Sequence, residues 1–349
     1  IYLVTANKYV MSALQRGLMS KGLPPKGTTR HPEKKLPPGK SFSALPWSDF
    51  FEAKSTVDIN GDQFNVYLKG SSGPVFFLLH GGGYSGLTWA CFATDICARI
   101  NCRVVAPDLR GHGLSTCLDE NDLSTEHQIR DIGAIISSLF PLSSGGDVVP
   151  MIVVGHSMGG ALAVHAVSHS LGQIAGVAIV GLVVIDVVEG TAMEALGGMT
   201  TYLRSRPAHF DGEEDAIKWC LSSGTVRNST AARVSMPAQV RRREGGKFHW
   251  RINLLRSEPY WKGWFNGLSA KFLASEAPKM LVLAGTDRLD KELMIGQMQG
   301  KFQTTLLPRV GHAVQEDSPG RLADELARFA VRYRLAVPKG EMQFNTPMC

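Results

Sequence analysis

Apolar residues occur in short, near-continuous runs along this chain, and turn residues separate the runs. Runs of this kind fit strands that are covered on both faces, as in a parallel β-sheet. Many of the residues in them are β-branched, which favours strand over helix. The predicted core strands are residues 74–80, 102–108, 151–155, 181–186, 279–287 and 302–307.

Helical patterns of apolar residues lie between most of these runs, at residues 87–100, 124–139, 158–171, 289–299 and 319–333. Alternation of strand and helix predicts a mostly parallel central sheet with helices on both faces, the α/β class. Ahead of the first core strand, the segments STVDIN and QFNVYLKG alternate around Asn60 and Gly61. This pair predicts a β-hairpin, which would add antiparallel strands at one edge of the sheet.

One long interval interrupts this alternation. Residues 187–278, approximately, lack a clear buried strand, yet they contain four of the six tryptophans. Inserted segments above the carboxyl ends of parallel strands usually shape binding sites. We therefore predict a helical cap inserted into a single domain.

The composition is that of an ordinary globular protein, with 44% hydrophobic and 19% charged residues. Much of the net charge of +6 comes from the Pro-rich run KGLPPKGTTRHPEKKLPPGK at residues 21–40. A run of this composition cannot bury enough apolar surface to fold. Residues 1–40 are therefore predicted to be a disordered basic tail, and residues 41–349 to form the α/β domain with its cap.

The cysteines and the apolar segments bear on the compartment. Six cysteines without metal-binding spacing favour a reducing environment and predict no metal site. The first residues do not form a convincing signal peptide. The longest apolar stretch, residues 174–188, contains Asp186 and is too short to cross a bilayer. We expect a protein of the cytoplasm, the nucleus or both, without a membrane or nucleic-acid partner.

The segment MIVVGHSMGGALAV, residues 151–164, joins a predicted strand directly to a predicted helix. It contains Gly-x-Ser-x-Gly with Ser157 at its centre, the pattern of a nucleophile elbow. The serine backbone is forced into a tight turn, so neighbouring positions must be nearly free of side chain. The turn holds Oγ clear of the sheet, and the first amides of the helix face the same point. Ser157 is the predicted nucleophile.

A serine hydroxyl needs a base that removes its proton. Among ten histidines, His312 lies in a loop between the last predicted strand and the last predicted helix, within LLPRVGHAVQEDSPG. It is the predicted base. Two aspartates follow buried strands and could orient it, Asp186 in LVVIDVVEG and Asp287 in LVLAGTDRLD. Adjacent strand ends lie about 5 Å apart, so both remain candidates, and spacing slightly favours Asp287.

The segment LLHGGGYSG predicts an anion site. An acyl-transfer transition state carries negative charge on the former carbonyl oxygen, and two backbone amides must already face it. One should be the amide of Met158, directly after the nucleophile. The other should come from the glycines that follow the first core strand, and Gly82 is the preferred candidate.

Together these motifs resemble the α/β-hydrolase superfamily, and within it the family of protein phosphatase methylesterases. The similarity covers nearly the whole chain from Met11, and IDVVEGTAM and IGQMQGKFQ are its most specific segments. It implies that the acid is Asp186 rather than Asp287. It also implies a serine carboxylesterase, without cofactor or metal, that removes the methyl ester from the C-terminal leucine of the phosphatase 2A catalytic subunit. That subunit would then be the partner, with its C-terminal tail as the substrate.

Two other functions fit parts of the same pattern. A small-molecule serine esterase would use identical core residues and differ only in the cap. A non-catalytic scaffold that binds and sequesters the phosphatase would not need the Ser157, Asp186 and His312 set. The presence of that complete set favours an enzyme.

Overall fold

The computed structural model describes residues 41–141, 147–169, 171–174, 176–285 and 289–340. The predicted tail, residues 1–40, and Asp287 lie outside these ranges. The disorder of the tail and the role of Asp287 as the alternative acid therefore remain predictions from the sequence.

An eight-stranded sheet forms the centre of the molecule, in the order β1-β2-β4-β3-β5-β6-β9-β10. The β1–β2 and β2–β4 pairs are antiparallel, and the remaining pairs are parallel. The predicted mostly parallel α/β sheet with an antiparallel hairpin at one edge is therefore confirmed. The strands are β1 (Ala53–Ile59), β2 (Asp62–Lys69), β3 (Val75–Leu79), β4 (Arg103–Pro107), β5 (Val149–His156), β6 (Val177–Ile185), β7 (Val240–Arg242), β8 (Phe248–Trp250), β9 (Lys279–Leu283) and β10 (Gln303–Leu306).

Helices connect the parallel strands and cover the sheet. Among the described residues, no helix combines the length and the apolar character that crossing a bilayer requires. The helices are α1 (Ala90–Arg99), α2 (Thr125–Leu139), α3 (Met158–His169), α4 (Glu189–Ser205), α5 (Glu213–Ser222), α6 (Ser229–Ser235), α7 (Trp261–Phe265), α8 (Leu268–Ala274), α9 (Lys291–Met298), α10 (Val314–Asp317) and α11 (Pro319–Arg332).

The sheet is buried on both faces because successive residues of a strand point to opposite sides. In β3, Phe76 and Leu78 belong to one apolar cluster, which includes residues of α1 and α11. Phe77 and Leu79 belong to a second cluster, which includes residues of α2, α3 and α8. All four side chains are fully buried. This two-sided burial explains why the strands read as continuous apolar runs in the sequence.

The segment between β6 and β9 contains helices α4 to α8 and the antiparallel hairpin β7–β8. The hairpin differs from the expected purely helical cap. Its strands have three residues each and are only partly buried, too short for a hydrophobic period to be visible. Phe210, Ile217 and Met236 join a third apolar cluster, which also includes Ala313 from the loop before α10.

Some element bounds also differ from the sequence prediction. The predicted helix 87–100 divides into a 3₁₀ turn, Gly86–Trp89, and α1. The Ser85 side chain accepts a hydrogen bond from the Leu87 amide and caps this turn. Strand β6 begins at Val177, earlier than predicted, because its first residues pair with β5 although two of them are only partly buried.

The loop after β4, with the sequence DLRGHG, is anchored by Arg110. The Arg110 guanidinium is almost completely buried and donates to both carboxylate oxygens of Asp131 at 2.8 Å. It also donates to Asp62 at 2.5 Å, at the start of β2. One side chain thus ties the hairpin and α2 to the loop that follows β4.

Replacing Arg110 should therefore destabilise the fold. Arg110→Leu leaves two carboxylates without their cation, and we expect the free energy of unfolding to fall by about 3–5 kcal/mol. Arg328→Leu, which removes an exposed pair with Glu325, should change it by less than about 1 kcal/mol. Guanidinium unfolding followed by circular dichroism measures both variants. Equal losses in the two variants would contradict this interpretation.

Candidate active site

Ser157 lies in the turn between β5 and α3, with a backbone φ of 52°. This left-handed conformation is strained for a residue with a side chain, and it requires support from its surroundings. The flanking glycines make the turn possible. A Cβ on Gly155 would lie 2.1 Å from the carbonyl oxygen of Gly159, and a Cβ on Gly159 would lie 2.4 Å from the carbonyl oxygen of Leu79. No larger residue fits either position without moving the backbone.

Asp186 follows β6 and contacts His312 directly. The His312 Nδ1 and the Asp186 Oδ2 are 2.7 Å apart, and Oδ1 accepts a hydrogen bond from the Ala284 amide at 2.8 Å. Asp186 also has a positive φ, 52°, which marks a second strained turn at this edge of the sheet. Because a carboxylate only accepts hydrogen bonds, Nδ1 must carry the proton in this contact. Nε2 of a neutral His312 then has a free lone pair.

His156 packs against the loop that carries His312 and binds its backbone. The His156 Nε2 donates to the His312 carbonyl oxygen at 2.8 Å, and the two rings pack with centroids 4.7 Å apart. Burial lowers the pKa of His156 well below its ordinary value, so this ring stays neutral. On the other side of His312, the Gly311 amide donates to Asp317 Oδ2 at 2.6 Å. The loop is thus fixed on both sides of the imidazole.

The glycine loop after β3 packs against this elbow. A Cβ on Gly81 would lie 2.9 Å from His156 Nδ1 and 3.3 Å from the Ser157 Cβ. The Gly83 amide donates to His112 Nε2 at 2.9 Å, and His112 Nδ1 donates in turn to the Arg110 carbonyl oxygen at 2.8 Å. Burial lowers the pKa of His112 to about 4. His112 therefore stays neutral and holds the loop by its acceptor nitrogen.

Ser157, His312, Gly82 and Met158 line one cavity of about 310 Å³. Met158 is the first residue of α3, so its amide has no partner within the helix. Most of the opposite wall is apolar and comes from the segment between β6 and β9. It includes Leu196, Met199, Leu203, Trp219, Trp250, Leu254, Trp261, Trp264 and Phe265.

A fully buried carboxyl group, Glu316 in α10, lies behind this site. Its oxygens accept hydrogen bonds from the hydroxyls of Thr88 and Ser235, the latter at 2.9 Å. The Gln315 amide nitrogen donates to Thr88 Oγ1 at 2.9 Å and lies 3.2 Å from His156 Nδ1. Ser235 ends α6, so this network connects the segment between β6 and β9 with the loop that carries His312.

The structure describes all of the sequence-predicted site residues except one. The structure brings Asp186 and His312 into contact and gives Ser157, His312, Gly82 and Met158 a shared cavity. The alternative acid, Asp287, lies outside the described residues. Sequence reasoning missed Glu316, because glutamate is normally a surface residue and nothing in the sequence indicates its buried partners.

One cluster in the described part of the chain has the composition of a metal site. Ligand atoms of Asp62, His127 and Asp131 lie within 4.8 Å of one another. The Arg110 guanidinium already binds both carboxylates. A fixed cation therefore occupies the position that would otherwise attract a metal ion.

The chain is similar to known proteins over most of its length. The model of the alpha/beta hydrolase family matches residues 76–325. Protein phosphatase methylesterase 1 from Homo sapiens is 41% identical over 395 residues, covering 97% of this chain and 100% of the relative. A probable protein phosphatase methylesterase 1 from Caenorhabditis elegans is 61% identical over 300 residues, covering 86% of this chain and 80% of the relative.

Solved structures share the fold at lower identity. E-2-(acetamidomethylene)succinate hydrolase superposes with a TM-score of 0.64 at 21% identity, covering 80% of this chain and 99% of that one. A thioesterase domain from the curacin biosynthetic pathway gives a TM-score of 0.60 at 23% identity, covering 79% of this chain and 98% of that one. These matches, with the family model, confirm the predicted fold.

The Asp186–His312 contact predicts the effect of an isosteric substitution. In Asp186→Asn, an amide NH₂ can replace the acceptor at Nδ1, which favours the tautomer with the proton on Nε2. That tautomer cannot take a proton from Ser157, so ester hydrolysis should fall by about a thousandfold or more. Asp287→Asn is the matched control and should retain most activity. Hydrolysis assays on both variants, with thermal melts to verify folding, test this; a loss confined to Asp287→Asn would identify the other acid.

Glu316 predicts a dependence of stability on pH. Burial raises its pKa to about 8, the hydrogen bonds from Thr88 and Ser235 oppose the increase, and Asp317 adds to it. In the unfolded chain, the pKa of a glutamate is about 4.3. At pH values between the unfolded-state and folded-state pKa, Glu316 is protonated in the folded protein and ionised in the unfolded chain. The free energy of unfolding should therefore decrease as the pH rises toward about 8.

Glu316→Gln removes this titration while keeping the shape of the neutral acid. The free energy of unfolding of both proteins is measured with denaturant at pH values from about 5 to about 9. It should depend less on pH in the variant than in the wild type. Parallel curves for the two proteins would show that Glu316 does not titrate in this range.

Proposed function

The chain belongs to the protein phosphatase methylesterase family of α/β-hydrolases and is a carboxylic-ester hydrolase, and we propose that it demethylates the C-terminal leucine methyl ester of the phosphatase 2A catalytic subunit. The observation that carries the proposal is the similarity, over most of the chain, to relatives named protein phosphatase methylesterase 1. The human relative is covered over 100% of its length, so core and cap both have counterparts in it.

The geometry supports a two-stage acyl transfer. In the first stage, Ser157 Oγ attacks the ester carbonyl carbon while His312 Nε2 takes the hydroxyl proton. Asp186 keeps Nδ1 protonated and stabilises the imidazolium that results. The amides of Gly82 and Met158 would stabilise the oxyanion. His312 then gives its proton to the departing methoxide, so methanol leaves and the acyl group stays on Ser157.

The second stage restores the enzyme. A water molecule gives a proton to His312 Nε2 and adds to the acyl carbon through its oxygen. His312 returns that proton to Ser157 Oγ as the acyl–oxygen bond breaks. The products are the original serine and a C-terminal carboxylic acid, which releases its remaining proton to solvent and becomes the carboxylate. Every proton passes through the one nitrogen that the contact with Asp186 leaves unprotonated.

A surface feature favours a protein substrate over a small ester. Met294, Ile295 and Met298 occupy positions i, i+1 and i+4 on one side of α9, and all three are exposed. Met298 is 86% exposed. Clustered large apolar side chains on a surface are typical of protein interaction sites. Hydrolysis of a small ester does not require a surface that binds a protein.

The proposal is tested with two substrates, the methylated phosphatase 2A catalytic subunit and a short neutral ester. Ser157→Ala should lose at least about ten-thousandfold in rate on both substrates, because no other group supplies the nucleophile. Met298→Asp should lose activity on the phosphatase and keep it on the short ester. The assays measure the methyl group remaining on the phosphatase and the alcohol released from the ester.

Leu118→Asp is the matched control, since Leu118 is 84% exposed and lies in the loop between β4 and α2. It should retain activity on both substrates. A wild-type enzyme that hydrolyses the short ester but not the methylated phosphatase would support the small-molecule esterase. Binding without any hydrolysis would support the scaffold.

A further inference from the structure

Arg206, directly after α4, lines the same cavity as Ser157 and His312. Its guanidinium lies over the Trp250 ring, 4.1 Å from the centroid. Its Nε is buried, and no hydrogen-bond partner for that atom exists among the described residues. A polar atom buried without a partner carries a desolvation cost that some other interaction must offset.

Among the described residues, the two buried arginines and the other arginine that lines this cavity have carboxylate partners. Arg110 pairs with Asp62 and Asp131, and Arg251 pairs with Glu120 at 2.8 Å. Arg227, which lines the same cavity as Arg206, pairs with Asp317 at 3.7 Å. Arg206 forms no ion pair within the ranges that the structure describes. It is thus an exception at the place where substrate binds.

The neighbouring groups do not neutralise Arg206. The titratable side chains whose charge would act on it are the phenols of Tyr202 and Tyr84. Burial raises the pKa of both tyrosines, so both are uncharged near neutral pH. Stacking on the Trp250 ring offsets part of the desolvation of the guanidinium, but it supplies no negative charge. An arginine remains protonated under all ordinary conditions, so the cavity wall contains an uncompensated positive charge.

This charge lies beside the glycine loop. A Cβ on Gly83 would be 4.0 Å from Arg206 Nη1. The reacting end of a methyl ester is neutral, so the ester itself does not supply a complementary anion. The complementary group must be elsewhere on the substrate, or it must form during the reaction.

We infer that Arg206 is a carboxylate-binding residue of the active-site cavity, which holds an anionic group of the peptide that the enzyme acts on. The inference rests on the proposed hydrolysis of a peptide methyl ester. Two carboxylates have the required chemistry. One is an acidic side chain upstream of the esterified leucine, and the other is the C-terminal carboxylate of the product.

The first arm of the test uses short peptides that end in leucine methyl ester and are otherwise neutral. A single aspartate is moved through the upstream positions, and each peptide is compared with its asparagine counterpart. At one position, aspartate should raise kcat/KM at least about tenfold over asparagine, mainly through KM, as a charge-assisted hydrogen bond does. Arg206→Gln should abolish this preference, and Arg206→Lys should retain part of it.

The second arm uses the demethylated peptide without aspartate as an inhibitor. If the product carboxylate is the ligand, inhibition of Arg206→Gln should be weaker than that of the wild type by about tenfold or more. Arg204→Gln, an exposed arginine in the last turn of α4, is the matched control for loss of charge. It should behave as the wild type does in both arms.

The inference is overturned if Arg206→Gln changes neither the aspartate preference nor product inhibition. It is also overturned if kcat falls equally for aspartate and asparagine peptides, because Arg206 would then act on the transition state. Failure of the proposed hydrolysis has a different signature, namely a wild type that cleaves no leucine methyl ester. In that case, calorimetric binding of the peptides to Ser157→Ala, with and without Arg206→Gln, still tests the carboxylate site.

Discussion

The hydrogen bond between Asp186 and His312 is the constraint on which the candidate site depends. It joins side chains that are 126 residues apart in the chain. The contact forms because β6, β9 and β10 are parallel neighbours, so the loops after them emerge at one edge of the sheet. The whole segment between β6 and β9 is inserted without disturbing this register. The sheet therefore fixes the relative positions of Asp186 and His312, and the inserted segment is free to shape the cavity above them.

The inserted segment is nevertheless bound to the core by specific contacts. Its apolar cluster includes Ala313, next to His312, and its helix α6 ends at Ser235, which donates to the buried Glu316. Buried polar networks of this kind specify one arrangement, because breaking any bond leaves a desolvated group without a partner. The wall of the cavity near α6 is therefore part of the same rigid unit as the loop of His312.

The sequence was informative where the physical signal is local. Continuous apolar runs identified the core strands, and the glycines around Ser157 identified the turn, since only glycine fits at Gly155 and Gly159. It left the acid open because Asp186 and Asp287 both follow buried strands, and only the family resemblance favoured Asp186. Arg206 and Glu316 could not be found in this way. Their properties come from partners, or from the lack of partners, that depend on tertiary packing.

The hydrogen bond from the Gly83 amide to His112 fixes the orientation of the glycine loop before substrate binds. His112 is neutral over the physiological range, and its other nitrogen is already engaged with the Arg110 carbonyl. The glycine loop is thus oriented during folding, by a side chain that does not titrate in the physiological range and that is hydrogen-bonded through both ring nitrogens. Each turnover can then proceed without reorganising the dipoles around the developing charge, which is the main advantage of a protein site over water.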